Sequence, residues 1–264
     1  MRVSVYTRVR VLVPTWMRVL VLPICYDIPI RKMLVKIFLS TFFHPRSLAF
    51  WLALLLQAVF FAVISPLINL LFPNNQKLWQ KIVKSSLNLT LNISPVQIEI
   101  IGLENIPQDK SFIFTANHCS FLDGIILIAK LPILLNVVVA NAGFSIPIIR
   151  TIYQGTGYLG TGSKMNLANT SKLIRKIRTH ENVLILGKPA TSGEIGKFSS
   201  TIVSLSKNTG TPILPISIKN SSTVLPLNTF ILKKETIFVK IGEPIAPEQA
   251  ETYPEKILEL YNSL

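Results

Sequence analysis

A chain of 264 residues has room for one domain with a sizeable buried core and a short appendage. Its composition is 49% hydrophobic and 15% charged, which is greasy for a water-soluble protein and points to contact with lipid. The formal charge of +14 favours anionic partners. With no nucleic-acid module in the chain, those partners are read as an anionic membrane surface or an acidic carrier protein and not as a nucleic acid.

Residues 1–46 form a basic leader with Arg2, Arg8, Arg10, Arg18, Arg31, Lys32, Lys36 and Arg46 against a single acid, Asp27. The arginines divide every short apolar run, so no signal-peptide core forms. Two readings stand: a disordered, Arg-rich transit-type segment, or a non-native leader ahead of a start at Met17 or Met33. Cys25 lies here and Cys119 lies far downstream. Two cysteines are too few for a disulfide framework, and a reduced, cytosol-facing protein is the simple reading.

Residues 47–76 contain no charged side chain. About 20 apolar residues suffice to span a bilayer as a helix, and this stretch is long enough. Pro66 and Asn69 interrupt it. It is therefore read either as one membrane helix or as a helix pair with a break at residues 65–66, half-buried in one leaflet. A buried core helix is the competing reading, and the absence of charge and the cationic flank speak against it. That flank belongs on the cytoplasmic side. A polar linker is expected near residues 73–77.

From residue 98 the pattern alternates between short β-type runs and amphipathic stretches. Strands are expected at 98–101, 112–115, 137–140, 183–186, 213–218 and 237–241, rich in Ile, Val and Phe and bounded by Gly, Pro, Asn or Asp. Helices are expected at 166–179, at 199–208 with Gly210 as a C-terminal cap, and at 254–264. This alternation predicts an α/β fold. Its sheet is mixed and largely parallel, flanked by helices, and preceded by the hydrophobic membrane-docking segment. The expected organisation is leader 1–46, membrane segment 47–76 and α/β domain 77–264.

Chemistry concentrates in FIFTANHCSFLDGIIL, residues 112–127. A β-type run ends at Thr115, His118 follows in the turn, and Asp123 falls in the first turns of the next helix. A strand end leading into a helix start is where α/β proteins build sites. A neutral imidazole can take a proton from a hydroxyl, and a carboxylate on its other nitrogen fixes the tautomer. Backbone N–H groups at the helix start are candidates for stabilising an oxyanion. The plainer alternative makes His118 a loop histidine and Asp123 a helix-end carboxylate. Spacing alone does not choose. Cys119 is a second candidate nucleophile, set back because sequence neighbours in a turn seldom face each other. His44 and His180 show no such partner, and no spacing fits a metal site.

The segment NHCSFLD resembles the first motif of the glycerolipid acyltransferases, the family of lysophosphatidate and glycerol-3-phosphate acyltransferases. IEIIGLENIP at 98–107, PILPISI at 212–218 and IFVKIGEPI at 237–245 resemble the family's first strand and turn, its fourth motif and its closing strand. The likeness covers about residues 90–260 in the family's order. It implies transfer of a fatty acyl group from acyl-CoA or acyl-carrier protein to the hydroxyl of a membrane lipid acceptor. A glycerolipid or lyso-lipid of the 1-acylglycerol-3-phosphate type would serve, as in phospholipid biosynthesis. His118 is then the base and Asp123 its orienting partner. No covalent acyl-enzyme, metal or cofactor beyond the donor is implied.

The departures fall in the acceptor motifs. Gly162 stands where the second motif carries Arg, Lys188 stands where the third carries Glu, and Asn141 stands where Lys is frequent. Lys164 and Lys188 are candidates to supply the missing positive charge to a phosphate. Thr191, Ser192 and Gly193 are candidate hydrogen-bond donors beside them. The same departures leave two alternatives: an acceptor without phosphate, or a degenerate homologue that binds acyl chains or membrane without turnover.

Overall fold

The computed structural model describes residues 44–72, 75–107, 110–161, 167–187, 198–226 and 229–264. Nearly all of the leader lies outside the described residues. The first helix, α1, covers Pro45–Leu71 and starts with a proline in the first turn, where a missing N–H costs nothing. It runs through residue 66, which favours the single-helix reading over the broken pair. Pro66 has no N–H to offer Ala62, and the Ser65 hydroxyl donates to that carbonyl instead, at 3.3 Å. The second helix, α2, Gln76–Ile93, begins where the linker was expected to end; its cap is Asn75, whose side chain accepts from the Leu78 N–H at 3.0 Å.

Among the described residues α1 is the one helix long and apolar enough to cross a membrane. Its stretch Pro45–Ser65 has a mean hydropathy of 2.3, and only 17% of it is buried, which removes the core-helix reading. Leu52, Leu55, Leu56, Phe60 and Val63 are exposed along it. The opposite side is anchored. Phe61 packs on Trp79 and Val83 of α2, and Gln57 Nε2 donates to Thr90 Oγ1 at 2.6 Å. Phe50 is fully buried in the main core, and Trp51 Nε1 donates to the Phe230 carbonyl at 2.7 Å.

The sheet has strands β1 (Gln97–Ile101), β2 (Ile113–Ala116), β3 (Asn136–Ala140), β4 (Leu159–Thr161), β5 (Val183–Leu186), β6 (Ile213–Lys219) and β7 (Thr236–Ile241). Their order is β1-β7-β6-β2-β5-β3-β4, and every pairing is parallel except β6–β7. Helices α3 (Leu122–Lys130), α4 (Pro147–Thr156), α5 (Leu167–Arg178), α6 (Ser200–Thr209), α7 (Ser221–Val224) and α8 (Tyr253–Asn262) cover it. Successive strand residues alternate between two cores. Phe114, Leu184, Leu214 and Ile216 pack against Leu91 of α2 and Leu122 and Ile126 of α3. Ile113, Val183 and Ile213 pack against Leu173 of α5, Ile202 of α6 and Ile257 of α8. The mixed, largely parallel sheet flanked by helices is the fold the sequence predicts.

All six expected strands form within a residue of their predicted ends. Strand β4 and helix α4 were not expected. β4 has only three residues and glycines at 157, 160 and 162, a poor strand signal in isolation. It pairs along one side of β3, so its neighbour supplies the partner its sequence does not advertise.

Gly102 sits in the turn after β1 at φ +86°, and a Cβ there would fall 2.3 Å from the Ile241 carbonyl oxygen. That carbonyl also accepts from Asn105 Nδ2 at 3.0 Å. Gly102→Ala is expected to cost about 1–3 kcal/mol of folding stability through backbone strain, measured as a lower midpoint in chemical denaturation.

Candidate active site

Strand β2 lies between β5 and β6, both parallel to it, so its carboxyl end opens at the rim of the sheet where α/β sites form. Asn117 extends the β2–β6 ladder with its side chain. Its Nδ2 donates to the Ile218 carbonyl and its Oδ1 accepts from the Ile218 N–H, each at 2.8 Å. Sequence reading passed over this residue's structural work: both ends of the carboxamide are spent in fixing the turn. Ser120 braces the other side, its Oγ donating to the Leu225 carbonyl at 2.9 Å.

Between these two fixed points His118 meets Asp123. Nδ1 of the imidazole lies 2.9 Å from Asp123 Oδ2. The same oxygen accepts the N–H of Cys119 at 2.7 Å and of Ser120 at 2.9 Å. Asp123 is fully buried in the first turn of α3, where the helix dipole favours a negative charge. The His118 side chain is 22% exposed. With Nδ1–H donating to the carboxylate, the neutral ring carries its lone pair on Nε2 and is oriented to accept a proton there.

The Asp123 bonds also correct the oxyanion expectation. The Cys119 and Ser120 N–H groups are committed to the carboxylate, Leu122 N donates to Ser120 Oγ, and Asp123 N donates to Ser120 O. These amides at the start of α3 hold the base in place and are not free for a developing negative charge. At the same rim Thr115 Oγ1, Ser217 Oγ and Asp123 Oδ1 are buried with no partner among the described residues.

Cys119 is buried, and its thiol is pushed above the ordinary cysteine range by burial first and by the Asp123 charge second, against a smaller opposite effect of the Asn117 hydrogen bond. A thiol held protonated is a poor nucleophile. Cys119→Ala is therefore expected to keep most of the transfer rate in an initial-rate assay. A loss as large as that of a base deletion would make the thiol the nucleophile.

Lys164, Lys188, Thr191, Ser192 and Gly193 lie outside the described residues, as does Gly162. The described chain leaves β5 at Gly187, whose N–H donates to the Ala116 carbonyl at 3.0 Å, two residues before His118. Asn141 opens a short 3-10 turn after β3, at the same end of the sheet.

The fold and the paired side chains define a class, an α/β acyltransferase domain. Residues 97–219 match the family described as Acyltransferase, a span from β1 through β6 that contains both His118 and Asp123. The matched stretch is an acyltransferase domain, and the chain is similar to lysophosphatidate acyltransferases. It is similar to the 1-acyl-sn-glycerol-3-phosphate acyltransferase of Borreliella burgdorferi, with 21% identity over 164 residues, 60% of this chain and 66% of that protein. The crystal structure of the 1-acyl-sn-glycerophosphate (LPA) acyltransferase of Thermotoga maritima shares the fold, with a TM-score of 0.70 at 20% identity over 83% of this chain and 95% of that one.

Proposed function

We propose that the chain transfers a fatty acyl group from a thioester donor, acyl-CoA or acyl-carrier protein, to the hydroxyl of a glycerolipid or lyso-lipid acceptor. The acceptor is of the 1-acylglycerol-3-phosphate type, and the reaction belongs to phospholipid biosynthesis at the cytoplasmic face of a membrane. The observation that carries this reading is the 2.9 Å contact between His118 Nδ1 and Asp123 Oδ2, which prepares Nε2 as a base.

In the reaction the acceptor hydroxyl gives its proton to His118 Nε2 as its oxygen attacks the thioester carbonyl. Asp123 stabilises the imidazolium that forms. The tetrahedral intermediate collapses with cleavage of the carbon–sulfur bond. The leaving thiolate takes the proton from Nε2, giving the ester and a free thiol and restoring the base. The exposed apolar side of α1 and the chain's charge of +14 support work at an anionic membrane surface.

A second reading keeps the chemistry and changes the acceptor to a lyso-lipid without phosphate. It is favoured by Gly162 and Lys188, which replace the Arg and Glu of the family pattern. An assay with labelled acyl-CoA and a panel of acceptors separates the two. Transfer to lysophosphatidate is expected under the first. Transfer only to neutral or amino-acid-based lyso-lipids would establish the second, and no transfer to any acceptor from either donor would leave a binding protein.

A further inference from the structure

At the far side of the sheet, beyond β3, lies a cavity of about 620 Å³ that the proposed chemistry does not use. One wall is α5, which presents Lys172, Arg175 and Lys176 at the spacing of a single helix face. The same cavity is lined by Phe144, Tyr153 and Tyr158, with ring centroids 5.2 Å apart for the first pair and 6.0 Å for the second. Residues Leu159 and Gly160 of β4 contribute the floor.

The three cations are not equivalent. Lys176 Nζ bonds Asn136 Oδ1 at 2.8 Å and Gln76 Oε1 at 2.9 Å, and pairs with Glu181 at 3.3 Å. Glu181 is the single acid among the lining residues, so that pair is neutral overall. Lys172 and Arg175 are exposed and make no side-chain hydrogen bond or ion pair among the described residues. A solvated basic face would look similar on a convex helix. Here the cations stand in a concavity also lined by aromatic rings, a combination that can receive both a flat ring and phosphates.

The register places this groove relative to His118. Leu159 is level with Val138, Val138 with Ile185, and Ile185 with Thr115. The groove floor is therefore three strand spacings, about 14 Å, from Thr115, and His118 lies three residues, about 10 Å of extended chain, further on. The phosphate and free hydroxyl of a lyso-phospholipid share one glycerol unit, so an acceptor reacting at His118 cannot reach the groove with its phosphate. A long donor can. We propose that the groove binds the nucleoside phosphate end of a thioester donor, its phosphates on Lys172 and Arg175 and its base against Phe144 and Tyr153. This inference rests on the acyl-transfer reading and assigns it an acyl-CoA-type donor.

The test is equilibrium binding of adenosine 3′,5′-bisphosphate to the full chain, measured by calorimetry, alongside donor kinetics. The wild type and His118→Ala should bind the nucleotide alike. Lys172→Glu combined with Arg175→Glu should weaken it by about tenfold or more and raise KM for acyl-CoA in step. Both side chains are exposed, so an unchanged thermal melt is expected for the double variant. Absent binding, or binding unaffected by the double substitution, overturns the groove while leaving His118-dependent transfer standing. Nucleotide binding without any transfer would instead remove the acyl-transfer reading and the donor assignment with it. If the double substitution lowers binding only to phosphatidylglycerol vesicles and leaves the nucleotide untouched, the groove serves lipid headgroups and the proposal falls.

Discussion

His118→Ala is expected to reduce acyl transfer by on the order of 10²–10⁴ while leaving the protein folded and membrane-associated. Among the described residues the side chain makes one polar contact, with Asp123, and is partly exposed. Its removal leaves Asp123 Oδ2 with the Cys119 and Ser120 N–H groups, so the buried carboxylate stays solvated by the backbone. Under the proposed function membrane association rests on the exposed apolar face of α1, which the substitution does not touch. Initial rates with labelled acyl-CoA, vesicle flotation and a thermal melt would be measured on the same preparation. A near-normal rate with intact folding would mean that another group takes the acceptor proton, and the mechanism would be lost.

The apolar helix α1 and the turn that carries His118 and Asp123 are in contact. Trp51 of α1 stacks on Phe121 with centroids 5.8 Å apart and rings inclined by 27°, and its indole also meets Phe230 at 5.2 Å. Phe121 stands between Ser120 and Leu122, inside the turn that carries His118 and Asp123. It is 54% exposed, a large apolar ring beside a site with a proton to move. The anchored side of α1 therefore reaches the turn that carries His118 and Asp123.

What could be read from the sequence follows from where each signal resides. The six predicted strands are Ile-, Val- and Phe-rich runs with turn residues at both ends, so composition and period speak together. The short β4 owes its conformation to pairing with β3, and no local signal records a partner. The five-residue spacing made His118 and Asp123 candidates, and the resemblance of NHCSFLD to the family's first motif singled the pair out. Asn117 was legible only as a motif letter, since its two bonds to backbone go to Ile218, a hundred residues later. The commitment of the Cys119 and Ser120 amides to Asp123 was equally hidden. Helix-start N–H groups are free by default in a sequence reading, and only the curl of the turn shows the carboxylate reaching back to take them. Proline's missing donor kept a break at residues 65–66 open beside a continuous helix, and the Ser65 hydroxyl that compensates is a one-residue detail of rotamer.

Asp123 offers the sharper division between structure and chemistry, because two substitutions there should behave differently. In Asp123→Asn a carboxamide oxygen can replace Oδ2 and keep accepting from the Cys119 and Ser120 N–H groups. The turn is then expected to hold, with little change in unfolding midpoint. The negative charge that stabilises a His118 imidazolium is gone, and the expected loss of rate is on the order of 10²–10⁴. In Asp123→Ala the two backbone donors lose their acceptor in a buried site, at a cost of about 1–3 kcal/mol each, so activity and stability should fall together. Rates and denaturation midpoints on both variants decide the matter. If Asp123→Asn transfers acyl groups at the wild-type rate, the carboxylate serves only to tie the turn, and the imidazole works without it.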